Sequence, residues 1–298
     1  MTDAVSHSQP IDDRPFGHWV LGLGKSSGTI AQVALFVAAA VGCVIFTFGS
    51  RWFGIPVVPG FDGSILEQPN PVVAFFAIAV LLVIALLVGT ALAGAVRFEA
   101  GLFAATCGLA AISVRCGTMQ SVLLETGGND SVYVGMTVHL LIFAAFIVGL
   151  WALLWVLGRA NSAAPGEADL TESAFVNRCT AGITQIIATA VFIMFLCQTE
   201  AKNQALASVA IASFLGAVIA YKYSPVRPSI WYWSGPLIVG LIGYILAAMG
   251  QDANLAIGSP TGTFAALARP LPIDYASVGT AGAILGYWVL RKKEVVSG

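Results

Sequence analysis

The chain has 298 residues, of which 58% are hydrophobic and only 10% charged, with a formal net charge of -1. An ordinary soluble domain carries about 25% charged residues, so this chain lacks the polar side chains needed to cover a soluble fold of its size. A mean hydropathy of +0.86 and 32 glycines point to an all-α polytopic membrane protein. The near-neutral charge excludes nucleic acid as a partner, because that would need a clustered basic face.

Residues 1–28 are polar, contain Asp3, Asp12 and Asp13, and lack the basic-then-apolar order of a cleavable signal peptide. They read as a cytoplasmic tail. A hydrocarbon core of ~30 Å takes about 20 apolar residues at ~1.5 Å each, and eight stretches approach that length. In chain order they are 30–48, 71–96, 101–124, 132–158, 179–199, 203–221, 228–250 and 273–290. Arg115 interrupts the third, and only 16 uncharged residues, Tyr275 to Leu290, make up the core of the eighth. The polar run Arg159 to Arg178 is the one long linker. The expected organisation is therefore a tail at 1–28, four helices over 29–158, a cytoplasmic linker at 159–178, four helices over 179–290, and a basic tail at 291–298.

With eight spans, both termini lie on one side of the membrane. Arg14, Lys25, Arg97, Arg159, Arg178, Lys222, Arg227, Arg291, Lys292 and Lys293 fall on that side, and only Arg51, Arg115, Lys202 and Arg269 on the other. Cytoplasmic loops are enriched in Lys and Arg, so both termini are placed in the cytoplasm, the protein spanning the cell membrane, most naturally a bacterial inner membrane. Trp151, Trp155, Trp231, Trp233 and Trp288 at the inner ends and Trp52 at an outer one match the aromatic belts of membrane interfaces.

The two groups of four spans share a pattern. Ile30-Ala31-Gln32-Val33 opens the first span and Ile183-Thr184-Gln185-Ile186 lies near the start of the fifth. Asn70, then Ala77-Ile78-Ala79, is matched at the same spacing by Asn203, then Ala210-Ile211-Ala212. Asp130 and Asp274 precede the fourth and eighth spans, which end in Trp155-Val156-Leu157 and Trp288-Val289-Leu290. Four spans per unit preserve orientation, so the pattern predicts two tandem four-helix repeats related by an axis along the membrane normal. Gln32 and Gln185 are then candidates for the repeat interface.

Polar groups in hydrocarbon are costly and usually face protein or a cavity. Arg115 lies ~24 Å along a helix from Glu99, and His139 lies ~10 Å below the same outer boundary. With the nearby acids Glu125 and Asp130 they form the candidate binding site, read as open to the outer face. The competing reading of Arg115 is an interfacial anchor, and that of His139 a bond between helices. Asp130 and Asp274 read first as N-caps. No catalytic motif occurs: there is no G-x-S-x-G, P-loop or H-E-x-x-H. The histidines His7, His18 and His139 and the cysteines Cys43, Cys107, Cys116, Cys179 and Cys197 show no metal-ligand spacing, so neither a metal nor a cofactor is expected. A disulfide between Cys116 and Cys197, both at outer ends, is conceivable.

Asn70-Pro71-Val72 is similar to the Asn-Pro-Ala stretch of aquaporins, and Trp231 to Ile238 resembles their last helix. The third residue is Val72, however, the repeat partner is Asn203-Gln204-Ala205, and the second match falls one span too early. The resemblance assigns nothing. The uncharged outer loop 253–268 suits an interfacial or re-entrant segment. Three functions follow: a carrier or channel passing a small neutral, weakly anionic or lipid-like solute between the repeats, a non-catalytic anchor subunit of a larger membrane complex, in contact with quinone, or, third, an enzyme acting on lipid. Lipid is a partner in each, and a homo-oligomer or further membrane subunits stay open.

Overall fold

The computed structural model describes residues 28–52, 71–94, 96–125, 131–161, 172–199, 201–226, 229–249 and 265–297. They form helices α1 (Gly28–Trp52), α2 (Pro71–Ala93), α3 (Ala100–Ser113), α4 (Met119–Glu125), α5 (Ser131–Asn161), α6 (Glu172–Leu196), α7 (Lys202–Tyr223), α8 (Ile230–Trp233), α9 (Gly235–Met249), α10 (Ala265–Ala268) and α11 (Pro272–Asp274). A π-helical turn, Tyr275–Gly279, leads into α12 (Thr280–Ser297), and no strand occurs among the described residues.

Among the described residues six helical segments are long and apolar enough to cross a membrane: 30–52, 71–93, 132–157, 175–196, 202–223 and 230–249. This is what an integral, multi-pass membrane protein requires. The other two expected spans are the ones whose sequence is interrupted. The third breaks after Ser113 into α3 and the seven-residue α4, with Arg115 in the turn between them. The eighth is divided by the π-helical turn. The expected linker also shortens, because α5 continues to Asn161 and α6 begins at Glu172. At 31 residues, α5 is ~46 Å long and outreaches the ~30 Å hydrocarbon core.

Lipid tails are as apolar as leucine, so helices in a membrane associate by close packing rather than by hydrophobic burial. Small residues make that contact here. A methyl on Gly42 of α1 would collide with the carbonyl of Ala104 on α3. On α12, Gly282 and Gly286 lie against the carbonyls of Ala210 and Phe214 on α7. In the first half, α1, α2 and α3 pack against one another; in the second, α7 lies between α6 and α12, and α9 pairs with α5. Of the expected repeat, the contact of α3 against α1 recurs as that of α9 against α6, whereas α3 lies also against α2 and α9 against α5. The π-helical turn occupies the centre, touching α3, α5, α7 and α9.

Two of the expected belt tryptophans face inward. Trp233 is fully buried and Trp288 is 5% exposed; Trp288 packs on Phe103 and its indole N–H donates to the buried Glu99 carboxylate at 3.2 Å. A belt residue needs lipid headgroups on one side, whereas these rings fill the bundle. Trp52 and Trp155 are exposed, as belt residues are. None of the five cysteines is in a disulfide, so Cys116 and Cys197 are not bridged.

Candidate functional site

Of the residues singled out from the sequence for a binding site, Arg115 and His139 lie among the described side chains. Arg115 is half-buried in the α3–α4 turn, and among the described residues no hydrogen bond or ion pair joins it to His139. His139, on α5, is buried. Its ring meets Phe75 of α2 edge-on at 5.1 Å and stacks on Phe143, one turn further along α5, at 5.0 Å. The Glu125 side chain, Asp130 and most of the 253–268 loop lie outside the described residues. Gln32 is exposed on α1, whereas Gln185 is fully buried on α6, so the two do not share an environment.

A polar site is assembled at the end of the bundle where α3, α7 and α11 meet. Asp274, at the end of α11, is 1% exposed. Lys202, the first residue of α7, donates to its carboxylate at 2.6 Å, and the Lys202 side chain is only 13% exposed. The buried Ser113 hydroxyl, at the end of α3, donates to the same oxygen. The other oxygen accepts the backbone N–H of Leu271 at 2.9 Å. Asp274 therefore caps its helix from within the first turn, as an acid reaching back to Leu271, rather than as the N-cap residue itself. Its burial is tolerable only because a cation and two further donors meet it.

Three features of the fold place this group. Pro272 is pre-set for a first helical turn and turns Asp274 inward. α3 stops after Ser113, which leaves its hydroxyl facing the carboxylate. The π-helical turn starts at the next residue, and single π turns inside helices are frequent at functional sites. Close by, Arg269 donates to the Cys197 carbonyl at 2.6 Å, and the Tyr275 hydroxyl to that of Leu267 at 2.6 Å. The sequence held one signal for this site, an acid and a lysine at the starts of the expected eighth and sixth spans. Ser113 carried none.

The opposite end of the bundle is aromatic and basic. Tyr232 stacks on Tyr287 at 5.2 Å and Tyr221 lies edge-on to Tyr287 at 5.5 Å. Arg291 lies over Tyr287 and donates to its hydroxyl at 3.3 Å. Burial, and then the charge of Arg291, push the Arg97 guanidinium below its ordinary value. Among the described residues no group of three or more His, Cys, Asp or Glu is placed to hold a metal ion.

No protein-family model matches the chain, and comparisons with curated proteins and with solved structures return no match.

Proposed function

We propose that the chain is a membrane carrier for a small neutral, weakly anionic or lipid-like solute, working in the cell membrane with both termini in the cytoplasm. One observation carries this reading: the two interrupted hydrophobic stretches meet each other, Ser113 to Asp274, at a buried ion pair with Lys202. Broken helices are where many transporters build their solute sites, and here the broken segments are tied by a charge pair at one end of the bundle. In this reading α3–α4 and α11–α12 are the third and eighth spans of two four-helix halves, and the pair is the outer closure. Parting Lys202 from Asp274 exposes an ammonium and a carboxylate to the outer side, and the π-helical turn supplies a backbone that can change its hydrogen-bond register.

The test is reconstitution. Proteoliposomes holding the purified chain should take up one or more labelled small solutes faster than protein-free vesicles, and Asp274→Asn should reduce the rate. A chain that leaves its native membrane only together with fixed partners, and moves no solute when reconstituted, would be the anchor subunit instead.

A further inference from the structure

We infer that the second half of the chain holds a sodium ion halfway across the membrane, between α6, α7, α9 and α12, bound by the neutral oxygens of Gln185, Thr189, Ser213 and Thr280. All four side chains are fully buried. Gln185 Oε1, Thr189 Oγ1, Ser213 Oγ and Thr280 Oγ1 have no hydrogen-bond partner among the described residues. An uncompensated polar oxygen is expensive in a membrane interior.

The behaviour of the other hydroxyls makes these four distinct. Elsewhere the helix interior uses the local remedy of a bond back to the carbonyl four residues earlier. Thr90 donates to Leu86 at 2.7 Å, Thr106 to Leu102 at 3.0 Å, Thr137 to Tyr133 at 2.8 Å, Thr180 to Val176 at 2.9 Å and Ser234 to Ile230 at 2.7 Å. Thr189, Ser213 and Thr280 make no such bond. The Gln185 amide nitrogen donates to the Ser213 carbonyl at 3.3 Å, which leaves its carbonyl oxygen as the group presented.

Glycines give these oxygens their room. A Cβ on Gly216 would strike Thr189 Oγ1 and would lie 2.9 Å from Gln185 Oε1, so two of the oxygens converge where that glycine has no side chain. A Cβ on Gly235 would run into the Gln185 side chain. A Cβ on Gly279, the residue before Thr280, would lie 3.6 Å from Ser213 Oγ, which brings the start of α12 beside the same group. Ser213 is eleven residues along α7 from Lys202, or ~16 Å, close to the bilayer midplane.

The chemistry selects the ligand. A hard cation takes oxygen ligands, and divalent ions are held mainly by carboxylates, of which this group contains none. An amide carbonyl and three hydroxyls, all uncharged, suit a monovalent ion that trades its hydration shell for protein oxygens. The π-helical turn ends at Gly279, so the ion site and the Asp274–Lys202 pair lie at the two ends of one irregular segment. As a coupling site for transport, the sodium ion rests on the carrier reading above.

The purified full-length chain in detergent is titrated with sodium chloride against choline chloride at constant ionic strength. The melting temperature should rise with sodium and saturate, and radiolabelled sodium should be retained and displaced by unlabelled sodium but not by choline. Ser213→Ala and Thr189→Val should weaken retention by about tenfold or more, while melting as the parent does in choline. If sodium and choline stabilise the parent equally and no label is retained, the site is refuted; stronger retention of potassium refutes the assignment to sodium. Sodium binding without solute uptake in vesicles removes the carrier reading and keeps the site. Uptake that ignores sodium in a chain that binds none removes the site and keeps the carrier.

Discussion

Replacing Asp274 by Asn should destabilise the protein by breaking a buried ion pair. The carboxylate accepts from Lys202 at 2.6 Å, from Leu271 N at 2.9 Å and from the Ser113 hydroxyl. An amide keeps at most two of these bonds, because its NH2 faces a donor wherever it points, and it leaves Lys202 without a countercharge. Breaking a buried pair by removing one partner costs about 3–5 kcal/mol. Lys202 is 13% exposed against 1% for Asp274, so the stranded ammonium can reach toward water and Asp274→Asn falls near ~3 kcal/mol. Lys202→Met strands the more deeply buried partner and should cost at least as much. The double variant holds no unpaired buried charge, so the two losses should not add, with a coupling of about 1–3 kcal/mol. Thermal unfolding in detergent, followed with a thiol-reactive dye that reports exposure of the five cysteines, reads these differences as shifts of several degrees. Both single variants melting within about 1 °C of the parent, or fully additive losses, would show that the pair does not hold α3, α7 and α11 together.

His139→Ala should leave a gap between Phe75 and Phe143 and cost about 2–4 kcal/mol, read in the same melts. Arg115→Gln should change stability by no more than about 0.5 kcal/mol, since among the described residues that side chain makes no ion pair or hydrogen bond; a larger drop would restore Arg115 to a structural site. Gly42→Leu sets a branched side chain against the Ala104 carbonyl, a backbone group unable to yield, and should cost about 3 kcal/mol or more, visible as loss of the monodisperse peak in size-exclusion chromatography. With the native cysteines replaced, a cysteine at Ser173 should ignore an impermeant thiol reagent in intact cells and react once they are opened; labelling of intact cells would reverse the assigned orientation.

Membrane class and most of the helix boundaries were legible from the sequence alone, because hydropathy and span length are sums over neighbouring residues. The third and eighth expected spans carried a weakness, Arg115 in one and only 16 uncharged residues in the other, and α3 does stop beside Arg115, but nothing local marked the π-helical turn. Which side of each helix faces protein was not legible. Helices apolar on every side give no stripe to read, so Trp233 and Trp288 looked like belt residues although they are buried in the bundle. For the same reason Gln32 and Gln185 looked equivalent, although one is exposed and the other buried. The polar sites depended wholly on tertiary structure. Ser113 and Asp274 are 161 residues apart, and Lys202 and Asp274 are 72 apart. No local pattern links them, and they meet because α3 and α7 both pack against the segment formed by α11 and the π-helical turn.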